Sequence, residues 1–200
     1  MVEIVTIGVL SIQGAVSEHI ESLKLTFKEM NLDGSVMIVR NKEHITLIDA
    51  LIIPGGESST ISKILVKSGM YDTIIQRIKD NTLPIMGTCA GVVLLAKRII
   101  GKNGETRSLF AMDIEVERNA FGRQKESFEK NLKIKGFSKP FHAVFIRAPI
   151  IKKTWGKCKI LAEVDKRIVA TRQDKFLAVS FHPELTEDCR LHKYFLEMFI

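Results

Sequence analysis

The hydrophobic positions of this chain fall into short unbroken apolar runs that alternate with stretches spaced three to four residues apart. Glu3-Ile4-Val5-Thr6-Ile7-Gly8-Val9-Leu10 is a β-branched run that predicts a buried strand leaving through the loop Ser11-Ile12-Gln13-Gly14. Val16, Ile20, Leu23 and Phe27 then share one face of a helix that reaches about Met30 and ends at Asn31-Leu32-Asp33-Gly34. Ser35-Val36-Met37-Ile38-Val39-Arg40 predicts a second strand, and His44 to Ile48 a short linking segment. Ala50-Leu51-Ile52-Ile53 predicts a third, running straight into Pro54-Gly55-Gly56-Glu57-Ser58-Ser59-Thr60. There proline stops the ladder, two glycines expose backbone N–H groups, and the hydroxyls offer an N-cap for a helix from about Ser59 to Ser68. A further helix, about Tyr71 to Lys79, precedes the stretch from Leu83 to Lys97: an apolar strand, a turn of small residues and an apolar helix. This rhythm predicts βαβ units, hence an α/β fold with a mostly parallel sheet and helices on both faces.

After Gly101 the rhythm changes. Ile114-Glu115-Val116-Glu117-Arg118 and Leu132-Lys133-Ile134-Lys135 alternate apolar with polar, as half-exposed antiparallel strands do. Ala143 to Arg147, Lys159 to Val164 and Ile168 to Thr171 continue a β-rich second half with additional antiparallel strands. Phe176 to Phe181 is a strongly apolar strand ending at His182-Pro183-Glu184, and a helix from about Glu187 to Phe199 follows. With no internal repeat, low-complexity tract or linker, residues 1–200 read as a single domain.

Composition narrows the classes. Hydrophobic residues make up 46% of the chain, enough for a large core, yet no window approaches ~18 uninterrupted apolar residues, so no membrane span is expected. The first residues lack the basic-then-apolar pattern of a signal peptide. Cys89, Cys158 and Cys189 are odd in number, widely spaced and without a Cys-x-x-Cys pair; they argue for a reducing cytoplasm and against a disulfide framework or a zinc site. The formal net charge of +7 is spread among acidic neighbours, as in Lys125-Glu126 and Asp165-Lys166-Arg167, with no run of five like charges. Such dispersal marks a solvated face and argues against nucleic acid as a partner.

The candidate chemistry begins at Gly87-Thr88-Cys89-Ala90-Gly91. Gly-x-Cys-x-Gly is the sulfur counterpart of the Gly-x-Ser-x-Gly elbow, a sharp strand-to-helix turn that bulky flanking side chains would obstruct. Cys89 would sit in strained backbone beside a helix start, which favours thiolate; the alternative is a buried structural cysteine. A thiol nucleophile needs a base, and the base an orienting group. Of five histidines, His19 and His192 lie within helical patterns, His44 in a linker and His142 at a strand start, all read as structural or solvent-facing. His182 lies beyond the carboxyl end of an apolar strand, where open α/β sheets place ligands. Glu184, two residues on, shares its side of an extended backbone that Pro183 would maintain; a strand-end histidine beside a helix-capping glutamate is the plainer alternative. Acyl transfer also requires N–H donors for an oxyanion, and the Ala90 amide and the Gly55-Gly56 loop supply candidates. That loop lacks Gly-x-x-x-x-Gly-Lys, which argues against a nucleotide cradle.

Taken together, Gly87-Thr88-Cys89-Ala90-Gly91 and Phe181-His182-Pro183-Glu184 resemble the class I (triad) glutamine amidotransferases. Five further segments narrow the resemblance to the glutaminase subunits of pyridoxal 5'-phosphate synthase: residues 8–15, 54–60, 116–124 (Val-Glu-Arg-Asn-Ala-Phe-Gly-Arg-Gln), 145–149 (Phe-Ile-Arg-Ala-Pro) and 180–186. The resemblance implies a three-layer, flavodoxin-like α/β fold and hydrolysis of L-glutamine to glutamate and ammonia without a cofactor or metal. It implies Cys89 as nucleophile, His182 as general acid/base and Glu184 as its orienter, with Gly56 and Ala90 forming the oxyanion hole. Gly56, Glu57, Ser58, Arg118, Ile146 and Arg147 are implied as the glutamine site. An arginine and a glutamate there suit the carboxylate and ammonium of a free amino acid. The implied partner is the synthase subunit, in a hetero-oligomeric complex that receives the ammonia, with Gln13 in the contact.

Overall fold

Strands that are apolar on both faces must be covered twice, and this requirement sets the architecture. The computed structural model describes residues 4–101, 106–118 and 127–200. In chain order the first half runs β1 (Val5–Leu10), α1 (Val16–Met30), β2 (Gly34–Val39), α2 (Lys42–Thr46), β3 (Ala50–Ile53), α3 (Ser58–Lys67), α4 (Met70–Lys79), β4 (Ile85–Thr88) and α5 (Ala90–Leu95). The second half runs β5 (Ala96–Ile100), β6 (Met112–Glu117), β7 (Ser127–Leu132), β8 (Phe141–Ile146), β9 (Ile150–Thr154), β10 (Lys159–Val164), β11 (Arg167–Gln173), β12 (Phe176–Val179), a 3₁₀ turn at Pro183–Leu185 and α6 (Arg190–Leu196).

Among the described residues, ten strands form one sheet in the order β2-β1-β3-β4-β12-β11-β9-β6-β5, with β10 on β11; β7 and β8 form a separate antiparallel ribbon. Pairing is parallel from β2 through β12. It turns antiparallel from β12 to β11, β9 and β6, and β5 adds to β6 in parallel. The sequence-predicted α/β sheet, with antiparallel strands in its second half, is the observed one. Strand β3 shows why it has three layers. Leu51 and Ile53 pack into one apolar cluster with Ile45, Ile61, Leu65 and Ile74 of α2, α3 and α4. Ala50 and Ile52 face the opposite cluster, with Leu23 and Phe27 of α1 and Phe195 of α6. The register Ile7–Ala50, Leu51–Ile85 and Ile85–Phe176 aligns the carboxyl ends of β1, β3, β4 and β12 along one edge. No helix among the described residues is long and apolar enough to cross a membrane.

Several elements differ from the sequence expectation. The supposed linker at His44–Ile48 contains most of α2, because the Asn41 side chain accepts from the His44 N–H and caps a short helix. The helix after the elbow stops at Leu95, and Ala96 and Lys97 already belong to β5. The strand placed at Leu132–Lys135 lies upstream, at Ser127–Leu132, where side chains are mostly exposed and leave no clean alternation to read. Strands β5 and β9 were not marked by the sequence pattern at all: β9 carries Lys152 and Lys153 after only two buried isoleucines.

The elbow between β4 and α5 depends on the absence of side chains. A Cβ at Gly91 would lie 2.5 Å from the Ile53 carbonyl oxygen, and one at Gly87 would lie 2.7 Å from the Gly91 carbonyl. Strand, turn and helix therefore meet backbone to backbone. Gly91→Ala is expected to destabilise the fold by about 1–3 kcal/mol, the usual cost of overpacking. The readout is a lower urea midpoint at unchanged slope; an unaltered midpoint would contradict the close approach.

Candidate active site

Four loops leave the aligned carboxyl ends, and each delivers part of the site. The β4 loop presents Cys89 at φ 49° and ψ −106°, a sparsely populated conformation of the kind that costs of order 1–3 kcal/mol. The Cys89 N–H donates to the Val179 carbonyl at 2.9 Å, which fastens the elbow to β12. The β12 loop brings His182, whose N–H donates to the Val144 carbonyl of β8 at 2.8 Å. The β3 loop passes between them: a Cβ at Gly55 would lie 2.6 Å from His182 Cε1 and 3.4 Å from Cys89 Cβ. Only a glycine lets this loop lie against both side chains. The β1 loop supplies Gln13, whose Oε1 accepts the Glu57 N–H at 2.9 Å.

His182 and Glu184 meet at 2.8 Å, Nδ1 to Oε1, and the carboxylate side chain is fully buried. They do not meet across extended backbone. Pro183 opens a 3₁₀ turn at the first helical position, where its missing N–H costs nothing, and the turn swings Glu184 under the ring. Burial opposes charging the His182 ring, but hydrogen bonds to Cys89 and Glu184 and their negative charge outweigh it, pushing its pKa up to about 10. At neutral pH the ring is therefore an imidazolium between sulfur and carboxylate. The Cys89 thiol also contacts the Ile146 carbonyl oxygen, at 3.7 Å.

A cavity of about 370 Å³ opens over these groups, lined by Gly56, Glu57, Ser58, Cys89, Ala90, Arg118, Ile146, Arg147 and His182. Each of these residues was picked out from the sequence. Glu184 lies behind His182, and Gln13 is exposed at the rim beside Gly56. Val93 and Pro149 line the cavity too and carried no sequence signal beyond being apolar. Arg147 closes one wall in the left-handed region, at φ 44°. The motif residues 119–124 lie outside the described residues. No group of three or more His, Cys, Asp or Glu side chains among the described residues is placed to hold a metal ion.

Glu57, and not one of the following hydroxyls, is the N-cap of α3. Its Oε2 accepts the Thr60 N–H at 2.7 Å and the Ser59 and Thr60 hydroxyls at 2.6 and 2.8 Å. Its Oε1 accepts the Ser59 N–H at 3.2 Å and Arg118 Nη2 at 2.6 Å. A carboxylate offers full charge and two oxygens to the positive end of a helix, which a hydroxyl cannot match. Desolvation raises the Glu57 pKa, but the bonds from Ser59 and Thr60 outweigh it and bring it down to about 2.

His19 and His192, read from sequence as structural or solvent-facing, are fully buried directly behind Glu184. His19 Nε2 faces Glu184 Oε2 at 3.4 Å, and its Nδ1 lies 3.0 Å from His192 Nε2. The available signal was its place on the apolar face of α1, three residues after Val16 and four before Leu23.

With this geometry in place, the comparisons with known proteins are specific. The SNO glutamine amidotransferase family model matches residues 9–200. The chain belongs to that family. A pyridoxal 5'-phosphate synthase subunit PdxT of Pyrococcus furiosus is 46% identical over 197 residues, covering 98% of this chain and 100% of the relative. The protein of the same name from Staphylothermus marinus is also 46% identical, with 97% and 98% covered. A solved glutamine amidotransferase superimposes with a TM-score of 0.85 at 45% identity, covering 96% of this chain and 97% of its own. A glutamine amidotransferase from Thermotoga maritima, at 14% identity and a TM-score of 0.58, shares the fold.

The Glu57 cap gives a signed pH expectation. Its folded pKa of about 2 lies below the ordinary 4.5, so its stabilisation is complete above 4.5 and is lost as pH falls toward 2. Glu57→Ala is expected to cost about 1 kcal/mol at neutral pH. The difference in urea midpoint between variant and wild type should vanish at the acid end. A difference independent of pH would rule out the charged cap.

Proposed function

We propose that this member of the family hydrolyses L-glutamine at Cys89, with His182 and Glu184 completing a triad, and passes the ammonia to the synthase subunit of pyridoxal 5'-phosphate synthase. The observation that carries the reading is the cavity in which Cys89 and His182 face one space while Glu184 holds the ring from behind at 2.8 Å. The raised His182 pKa keeps a proton on the ring beside the sulfur at neutral pH, available for a leaving group.

In the proposed reaction the Cys89 sulfur attacks the side-chain amide carbon of glutamine, forming the C–S bond and an oxyanion. The N–H groups of Ala90 and Gly56 hold that oxyanion, each such donor being worth ~3 kcal/mol. His182 gives its proton to the departing nitrogen as the C–N bond breaks, and ammonia leaves a glutamyl thioester. Water then attacks the thioester, His182 takes its proton, and glutamate is released as the thiolate returns. Arg118 and Arg147 offer cationic partners for the substrate carboxylate, and the ionised Glu57 a negative wall for its ammonium. Ser58 and the Ile146 backbone close the amino-acid end of the cavity.

Gln13 is assigned to the contact with the synthase. It is exposed at the cavity rim and holds the Glu57 N–H, so a partner that shifts Gln13 would reach the Gly56 loop directly. Residues 1–200 are read as one amidotransferase domain, supported by β12 pairing beside β4 and α6 packing on α1. A cytoplasmic location fits the three unpaired cysteines.

Cys89→Ala is expected to abolish glutamate release, alone and with the synthase, in a protein that remains folded. Formation of pyridoxal 5'-phosphate by the complex should fail with glutamine and return when an ammonium salt is added. Glutamate release at the wild-type rate in this variant would refute the assignment.

A further inference from the structure

Behind the triad, and untouched by the reaction above, lies a run of buried side chains from four separate elements. Glu184 from the 3₁₀ turn uses Oε1 for His182, while its Oε2 has no hydrogen-bond partner of good geometry among the described residues. The polar group facing Oε2 is His19 Nε2 of α1, at 3.4 Å, with Thr88 Oγ1 of β4 at 3.3 Å from the same nitrogen. His192 of α6 completes the run through its 3.0 Å contact with His19 Nδ1. His19, His192 and the Glu184 side chain are all at 0% exposure, so water does not compensate the carboxylate.

The hydrogen-bond pattern fixes where the protons sit. His192 Nδ1 is buried without a hydrogen-bond partner among the described residues. A bare ring nitrogen left alone is far less costly than a buried N–H left alone, so the proton of His192 belongs on Nε2. That N–H donates to His19 Nδ1, which leaves the His19 proton on Nε2, aimed at Thr88 and Glu184. Both rings are neutral. Burial, then the neighbouring His192 and His182, holds His19 well below the ordinary histidine range, and burial brings His192 to about 4.

We infer that His19 is a positioning residue of the triad: its Nε2–H, oriented by His192 and anchored on Thr88 Oγ1, faces the second oxygen of Glu184 at 3.4 Å and limits how strongly that carboxylate binds the His182 proton. The inference rests on the glutaminase reading for its kinetic part only. In the proposed reaction His182 gives its other ring proton to the departing nitrogen, which leaves the buried carboxylate facing a neutral ring whose Nδ1–H still meets Oε1. The His19 N–H then faces the second oxygen of a charge no longer balanced by an imidazolium, and helps to keep Glu184 under the ring until His182 is protonated again. Among the described residues, the groups that face His19 from the packed elements are Glu184, His182, His192 and the Thr88 hydroxyl.

Two variants separate this role from packing. In His19→Gln the amide nitrogen reaches the Nε2 position and keeps a donor toward Glu184; His19→Leu removes the donor at similar bulk. His19→Leu is expected to lower kcat for glutamine hydrolysis in the synthase complex about 10–100-fold, the usual cost of losing an outer-shell partner, with KM little changed. His19→Gln should restore most of the rate. Without the N–H the carboxylate charge falls wholly on His182, so the ring titration of His182, followed by NMR without glutamine, should move to higher pH in His19→Leu and stay in place in His19→Gln. If His19→Leu does not fold, His19→Asn, whose amide reaches the Nδ1 position but not Nε2, replaces it. An unchanged kcat, or equal losses in the Gln and Leu variants with no upward shift of the His182 titration, would overturn the role. Wild-type protein that releases no glutamate would refute the glutaminase reading instead and leave the titration test standing.

Discussion

A carboxylate buried beyond the reach of water is the constraint around which this site is built. Glu184 is worth its desolvation cost only if an opposite charge meets it in good geometry, and His182 does so at 2.8 Å. Meeting that condition requires the carboxyl end of β12 to stop beside β4, a proline to turn the chain into a 3₁₀ turn, and α1 and α6 to seal the space behind. The same placement raises His182 to about 10 and so keeps a proton beside Cys89 at neutral pH. Fold and chemistry share one requirement: the parallel edge must hold the sulfur, the ring and the carboxylate in a line.

The cavity wall obeys a second economy of charge. Glu57 serves both as the cap of α3 and as the anchor of Arg118, so one carboxylate orders a helix start and a cationic side chain of the cavity. Gln13 touches that residue's N–H from the far side, in the loop before α1, and six residues later α1 carries His19 to the back of Glu184. The β1–α1 segment thus meets both the rim of the cavity and the rear of Glu184.

Much of this was legible in the sequence, for a physical reason. The strands β1, β3, β4 and β12 are buried on both faces and read as unbroken apolar runs, so the parallel sheet and its carboxyl-end loops followed directly. Cys89, His182 and the Gly55-Gly56 loop could be placed because each sits just past such a run. What escaped was set by tertiary contact. The exposed strand β7 and the short β5 and β9 are held by partners and have no pattern of their own. The cap of α3 went to Glu57 because a helix dipole prefers full charge to a hydroxyl, and the 3₁₀ turn replaced extended backbone because Pro183 suits a first helical position. His19 and His192 are 173 residues apart, and only the packing of α1 on α6 brings them together.

The central claim is that Cys89 forms a covalent glutamyl intermediate in this cavity. Acid-quenching the synthase complex during turnover with glutamine, followed by peptide mass mapping, tests it most directly. The account predicts a glutamyl group on the peptide bearing Cys89. A complex that turns over glutamine with no adduct on Cys89, or with the adduct on Cys158 or Cys189, would contradict it.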